Sequence, residues 1–174
     1  IEIRDEQVFH GKGWTLEALH TPGHTSNHVC YALHEENTLF SGDHVMAWST
    51  SVISPPDGHM GDYLAQLERV RDRDFVRLWP THGPAVENPR DFVQAYIDHR
   101  LAREDQILAC LAEGDTTIRE MVEVMYVDVD KRLHPAAAHS VLAHVIHLVE
   151  LGKVASNAVD QIDLTATFKL AEAA

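Results

Sequence analysis

The clearest structural signals lie in the stretch HTPGHTSNHVCYALHEENTLFSGD, residues 20–43. Two apolar runs, at 28–33 and 38–43, are separated by the polar tetrapeptide HEEN. This pattern predicts two strands joined by a hairpin-type turn. The loop TPGHT precedes the first strand, and Gly42-Asp43 ends the second. The stretch therefore places a histidine and an aspartate in glycine- or proline-containing loops at strand ends.

Further strands that lead into loops are predicted before and after this stretch. Residues 13–20 alternate apolar and polar side chains, which is typical of a half-buried strand leading into the loop of His24. Downstream, residues 61–72 have the spacing of an amphipathic helix. The apolar run 75–80 predicts a further strand, and the tight loop that follows it contains His82.

A metal site is the chemistry that these loops suggest. His24, Asp43 and His82 each lie in a loop after an apolar strand. Strands fix the backbone positions, and loops allow imidazole and carboxylate groups to converge on one point. Both groups are suitable ligands for zinc and similar divalent ions. The pattern alone leaves one alternative open, in which the histidines only form hydrogen bonds with the loop backbone and bind no metal.

Beyond these loops the pattern changes from strands to helices. A long helical region begins at Pro89 and ends at Gly114, and residues 115–117 are predicted to cap a second helix. A third helix is predicted from about Pro135 to Leu151, and the remaining sequence alternates like two short strands. Three helices followed by a two-stranded hairpin is the order of a winged helix-turn-helix.

The motifs resemble those of a known family. HTPGHTSNHVCY, LFSGDHV and LWPTHGP are similar to the last three metal-binding motifs of the metallo-β-lactamase superfamily, especially its glyoxalase II-like and β-lactamase-like-protein-2 branches. The resemblance implies an α/β (α+β) fold. Residues 1–97 would form the C-terminal half of an αββα sandwich, and residues 98–174 a small helical winged-helix domain.

The resemblance also assigns roles. His24 corresponds to a ligand of a first metal, Asp43 to the catalytic carboxylate that bridges two metals, and His82 to a ligand of the second. The implied cofactor is a pair of zinc ions, with iron or manganese as alternatives. The family's upstream His-x-His-x-Asp-His motif is absent before His24. We therefore expect a fragment, a processed product or a degenerate protein, which binds metal weakly or not at all by itself.

Seven of the remaining 11 histidines fall into two groups. Four are predicted to support the metal site or line its pocket: His20, His28, His44 and His59. Among these, His28 is expected to orient the site through a hydrogen bond, and His44 either lines the pocket or faces solvent. Three histidines of the last helix are predicted to lie on its solvated flank: His139, His144 and His147. The alternative for His144 and His147, which are three residues apart, is metal binding.

The composition of the chain limits the classes of partner that it is expected to bind. Lys and Arg total 14 against 27 Asp and Glu, a net charge of -13, which disfavours binding to nucleic acid or to an anionic membrane surface. No apolar run is long enough to span a membrane. Cys30 and Cys110 lie in apolar contexts and predict reduced thiols and a cytoplasmic location. Half a sandwich would expose an apolar sheet face, so we expect self-association or binding to a missing N-terminal half.

The implied activity of the intact protein is that of a dinuclear metallo-hydrolase. A metal-bound hydroxide would cleave an ester, thioester, lactone or phosphodiester of a small-molecule substrate, and this chain by itself is expected to be inactive. Residues 45–62 are predicted either to form the pocket wall or to be a structural connection. The alternative function is a nucleic-acid-binding or nuclease-related winged-helix protein, although the third helix offers no Lys or Arg after Pro135 to contact a groove.

Overall fold

The structure is a computed structural model and describes residues 2–114 and 116–172. The chain divides into two units, the first comprising Ile1–Val52 and Asp57–His99, the second Ile53–Pro56 and Arg100–Ala174. The tetrapeptide Ile53–Pro56 thus belongs to the second unit, although the chain on both sides of it belongs to the first. The domain boundary predicted between residues 97 and 98 stays a prediction.

The first unit is built on one six-stranded sheet, ordered as in the sequence. Its strands are β1 (Val8–Gly11), β2 (Trp14–His20), β3 (Val29–Leu33), β4 (Thr38–Gly42), β5 (Arg77–Pro80) and β6 (Val86–Glu87). Neighbouring strands are antiparallel except for β4 and β5, which are parallel. The parallel pair is connected through helix α1 (Met60–Arg71), because parallel strands need a crossover connection.

The two faces of this sheet differ in burial. Side chains alternate between faces along each strand, and the register pairs Leu39 with Leu78 on a fully buried face. On the opposite face Phe40 pairs with Trp79, and their side chains are 44% and 40% exposed. Trp14, further along that face, is 42% exposed. One face of the sheet is therefore core, and the other is an apolar surface open to solvent.

The second unit has helices and a small sheet. Its elements are the C-terminal part of α2 (Pro89–Ala112), α3 (Ile118–Met125), α4 (His134–Glu150), β7 (Thr116–Thr117), β8 (Val154–Ser156) and β9 (Thr167–Leu170). The strand order is β7-β9-β8. Buried side chains from all three helices and from β8 and β9 form one core, which includes Ile107, Met121, Val145 and Phe168.

Local sequence signals explain two of the element ends in this chain. Thr117 and Glu120 form a reciprocal capping box at the start of α3, while Asp115, also predicted to cap this helix, lies outside the described residues. The predicted HEEN turn is one turn of 3-10 helix, His34–Glu36, closed by Asn37 in the left-handed conformation.

None of the helices in the described part of the chain is both long and apolar enough to cross a bilayer.

Candidate metal centre

Three of the predicted site residues come together at one edge of the first unit's sheet. Strands β2, β4 and β5 run in the same direction, since β3 is antiparallel to both β2 and β4, and β5 is parallel to β4. His24, Asp43 and His82 all follow the carboxyl ends of these strands. His24 Nε2 lies 3.9 Å from Asp43 Oδ2, and His82 Nε2 lies 3.7 Å from Asp43 Oδ1. Each imidazole therefore faces a different oxygen of one carboxylate.

Two glycines make this convergence sterically feasible. Gly42 has a φ of 57°, and a Cβ atom there would lie 2.6 Å from His28 Nε2. Gly23, with a φ of 133°, would place a Cβ 2.4 Å from the backbone of Tyr63. Both positions combine a left-handed backbone with close packing, and only glycine tolerates this combination without strain. The ligand loops depend on these two residues for their path.

A backbone contact orients His24. Its Nδ1 lies 2.6 Å from the carbonyl oxygen of Val52. A carbonyl oxygen only accepts hydrogen bonds, so Nδ1 carries the proton and donates it. The lone pair of Nε2 is then free on the side that faces Asp43. This is the arrangement of a metal-binding histidine, whose other ring nitrogen is held by a hydrogen bond.

Asp43 is held by its backbone and leaves its carboxylate available. The backbone N–H donates to His28 Nε2 at 3.2 Å, and the backbone carbonyl accepts from Ser51 Oγ at 2.6 Å. The side-chain oxygen Oδ1 is buried and has no hydrogen-bond partner within the described residues. A buried carboxylate oxygen without a partner is unfavourable unless a cation binds it.

These observations fit a divalent ion, but the donor set is incomplete. Among residues 2–114 and 116–172, no three His, Cys, Asp or Glu side chains have the spacing of a complete metal site. The oriented Nε2 of His24, the bridging position of Asp43 and the facing ring of His82 supply part of such a site. The assignment of these three residues as metal ligands stays a prediction.

The predicted supporting role of His28 has a geometric counterpart. Because Nε2 accepts from Asp43, Nδ1 carries the proton and donates to Thr21 Oγ1 at 2.8 Å. The Thr21 hydroxyl in turn lies 3.3 Å from Cys30 Sγ, whose thiol donates to the Ser41 carbonyl. A continuous chain of hydrogen bonds therefore runs from the core to the backbone of Asp43. Burial lowers the pKa of His28 and keeps its imidazole neutral at pH 7.

His44 differs from its prediction. It is fully buried and packs edge-to-face against Tyr63, with ring centroids 5.1 Å apart. The solvent-facing alternative is therefore wrong, and a fully buried ring does not line an open pocket. A supporting role for His44 at the site stays a prediction. Burial lowers the pKa of His44 to about 3. The physical reason is that the backbone after Asp43 turns this side chain toward the core.

His20 and His59 have local partners. His20 Nε2 lies 3.0 Å from the carbonyl of Ser26. His59 is the N-cap of α1, and its Nδ1 accepts from the backbone N–H of Asp62. The structure thus gives His59 a helix-capping role, and a role at the pocket mouth stays a prediction.

Sequence reasoning missed several contacts of the site. Trp48, which is 72% exposed, stacks on His82 with ring centroids 5.5 Å apart. Its place in the predicted pocket wall, residues 45–62, was the available signal. The contact of His24 with Val52 gives no signal in the sequence, because a backbone carbonyl belongs to every residue type.

The predicted solvated flank of the last helix is wrong for two of its three histidines. His144 is 1% exposed, and its Nδ1 lies 3.4 Å from Glu104 Oε1. His147 Nδ1 lies 2.7 Å from the same oxygen. A carboxylate supplied by α2 provides the polar partner that allows these rings to be buried. His139 is half-buried and contacts Ser54, with His139 Nδ1 and Ser54 Oγ 3.3 Å apart.

Comparison with known sequence families agrees with both units. The metallo-β-lactamase superfamily model matches residues 1–82, and the beta-lactamase associated winged helix domain matches residues 117–161. Residues 1–82 of this chain therefore belong to the metallo-β-lactamase superfamily. The predicted family and the predicted winged-helix domain at the C-terminus are therefore confirmed.

Two curated relatives illustrate the relationship to this superfamily. A beta-lactamase-like protein 2 homolog of Drosophila melanogaster is 35% identical, covering 87% of this chain and 51% of the relative. An atrochrysone carboxyl ACP thioesterase of Cryptosporiopsis is 28% identical, covering 88% of this chain and 51% of the relative. The chain thus spans about half the length of these relatives.

A solved structure shows the same fold. A beta-lactamase domain protein from Burkholderia ambifaria superposes with a TM-score of 0.84 at 20% identity, covering 98% of this chain and 52% of that structure. The predicted mixed α/β fold is thereby confirmed.

Proposed function

We propose that this chain forms part of a metal-dependent hydrolase that cleaves an ester, thioester, lactone or phosphodiester. The observation that carries the proposal is the placement of His24 and His82 against separate oxygens of Asp43. A carboxylate approached in this way suits the position between two ions. The unpartnered Oδ1 of Asp43 supports the same interpretation.

Among these bonds, the thioester is the first to test. One relative that matches 88% of this chain is named as a thioesterase. The exposed ring of Trp48, stacked on His82, offers a flat apolar surface beside the candidate ligands. Such a surface suits the acyl part of a thioester, because apolar groups lose water favourably against an aromatic face.

His24, Asp43 and His82 are the residues of this chain that would hold zinc, or iron or manganese in its place. When bound, such ions supply Lewis acidity and a water molecule of lowered pKa. Val52 fixes the tautomer of His24, and His28 and Ser51 fix the backbone of Asp43. The protein thereby holds its ligands in place before an ion arrives, which lowers the cost of forming the site.

The open face of the six-stranded sheet supports the proposal of a partner surface. Phe40, Trp79 and Trp14 are each at least 40% exposed on that face. We assign it to the portion of the superfamily fold that the curated relatives contain beyond the half matched here. That portion would bury the apolar face and supply the remaining metal ligands. The chain by itself is then expected to be inactive.

The test uses the 174-residue chain, alone and mixed with the upstream half of a curated relative. Co²⁺ or Zn²⁺ binding is titrated, and hydrolysis of a thioester, a generic ester and bis-p-nitrophenyl phosphate is assayed. We expect weak metal binding by the chain alone and turnover only in the mixture. Asp43→Ala should weaken metal binding at least about tenfold and abolish turnover. Asp72→Ala, which removes an exposed partner of Arg71, is the matched control.

Two results would contradict the proposal. One is unchanged Co²⁺ affinity in Asp43→Ala. The other is efficient turnover by the chain alone that survives the loss of Asp43.

A further inference from the structure

Residues 51–57 contact two of the three candidate ligands. Ser51 Oγ donates to the carbonyl of Asp43 at 2.6 Å. The next residue, Val52, accepts the Nδ1 proton of His24 at 2.6 Å. The 51–57 segment therefore fixes both the backbone of one ligand and the ring of another.

The far end of the 51–57 segment holds the same ligand loop. Asp57 Oδ1 accepts from the Ser26 hydroxyl at 2.6 Å and from the Ser26 backbone N–H at 3.1 Å. Ser26 lies two residues after His24. The loop that carries His24 is thus held on both sides of the tetrapeptide Ile53–Pro56.

The middle of the segment is anchored in the second unit. Ile53–Pro56 belongs to that unit. Ile53 is 1% exposed, and Ser54 Oγ lies within hydrogen-bond distance of His139 Nδ1 on α4, at 3.3 Å. Val52 is only two residues from Ser54 along the chain. The direction of the Val52 carbonyl depends on the backbone of this anchored tetrapeptide.

We propose that His139 is a positioning residue for the metal centre, acting through Ser54 and the 51–57 segment on His24. The inference rests on the proposed function and adds a role for the winged-helix unit. The anchor restricts the backbone at Val52, and Val52 holds His24 in the tautomer that leaves Nε2 free. Loss of the anchor gives the segment more conformational freedom, which weakens the hold on the ring.

The test compares Ser54→Ala and His139→Ala with the unchanged chain. Long-range ¹H–¹⁵N spectra of the metal-free protein report the tautomer of His24, and Co²⁺ titration followed by visible absorption reports affinity. We expect a mixture of His24 tautomers and Co²⁺ binding about 3–10-fold weaker, below the 10–100-fold typical of direct partners of a ligand. The double variant should be no weaker than either single variant, because both remove the same contact.

Conservative and matched variants separate positioning from general destabilisation. Ser54→Thr keeps the hydroxyl and should restore both readouts. His134→Ala removes another histidine of α4, one that contacts the carbonyl of Val129 instead, and should leave both readouts unchanged.

The outcomes distinguish the positioning role of His139 from the proposed function. If Asp43→Ala abolishes Co²⁺ binding while Ser54→Ala and His139→Ala leave tautomer and affinity unchanged, the positioning role is wrong and the proposed function stands. If Asp43→Ala does not affect Co²⁺ binding, the proposed function itself fails.

Discussion

Two clusters in this chain each contain one carboxylate and two histidines, but they differ in the distances between these groups. The strand-end cluster consists of Asp43, His24 and His82, and the helix cluster of Glu104, His144 and His147. In the strand-end cluster the imidazole nitrogens stop 3.7–3.9 Å from the carboxylate. In the helix cluster one imidazole approaches to 2.7 Å. The polar groups of the strand-end cluster are therefore too far apart for hydrogen bonds, whereas those of the helix cluster are hydrogen-bonded.

Burial and charge extend the contrast. The Glu104 side chain is 5% exposed and that of Asp43 is 34% exposed. Burial opposes ionisation of Glu104, but the hydrogen bonds with His144 and His147 outweigh it and lower the pKa of its carboxyl to about 2. The carboxylate of the helix cluster is therefore hydrogen-bonded within the protein, although His144 Nε2 is buried without a partner among the described residues. We assign this cluster a structural role. A histidine–carboxylate composition does not distinguish a binding site from a buried structural cluster, but the distances and the hydrogen bonding of the carboxylate oxygens do.

Removal of each carboxylate should change the free energy of unfolding by very different amounts. We expect Glu104→Ala to lower the free energy of unfolding by about 4 kcal/mol, because it leaves buried imidazoles without their partner. Asp43→Ala should change it by less than about 1 kcal/mol, since Oδ1 makes no hydrogen bond within the described residues. Denaturant unfolding followed by far-ultraviolet circular dichroism measures both. Asp105→Ala, at an exposed neighbour of Glu104 on α2, is the control. Equal losses of unfolding free energy in Glu104→Ala and Asp43→Ala would contradict the proposed difference between the two clusters.

The pH dependence of stability should follow the helix cluster. Glu104 has a folded-state pKa of about 2, below the ordinary value of 4.5, so its stabilisation is present above pH 4.5 and is lost as the pH falls toward 2. This loss is about 3 kcal/mol at most. Burial also lowers the pKa of His144, so its contribution decreases as the pH falls below about 6.5.

Unfolding measured at several pH values between 7 and 3 checks this expectation. Glu104→Gln should show a flatter decline of stability below pH 4.5 than the unchanged chain. A decline of the same slope in both proteins would assign the acid sensitivity to other groups.

A smaller effect should reveal how the strand-end cluster is supported from the core. Thr21→Val removes the hydroxyl that accepts from His28 Nδ1 and should cost about 1 kcal/mol of stability. Because His28 also holds the backbone of Asp43, we expect Co²⁺ affinity to fall about threefold, a weak outer-shell effect. Thr21→Ser, which keeps the hydroxyl, is the control. Unchanged affinity in the valine variant would show that the support does not extend to the ligand.

The sequence predicts the strand-end cluster because its signals are local. Strand periodicity, followed by glycine or proline, marks the places where His24, Asp43 and His82 leave the sheet. The helix cluster depends on Glu104, which lies 40 residues before His144. Helical periodicity places His144 at the flank of an apolar stripe and carries no information about a partner on another helix. The roles of Val52 and of the tetrapeptide Ile53–Pro56 also escape prediction, since they arise from backbone groups and from packing distant in sequence.

The two cysteines of the chain lie one in each unit, Cys30 in the first and Cys110 in the second. Burial raises the pKa of the Cys30 thiol to about 12 and raises that of Cys110 as well. Alkylating reagents attack the thiolate, so the folded chain should resist them at neutral pH, and Cys30 should react only after its surroundings open. The alkylation rate of Cys30 therefore provides a kinetic record of the opening of the first unit, and the partly buried Cys110 serves as an internal reference in the second.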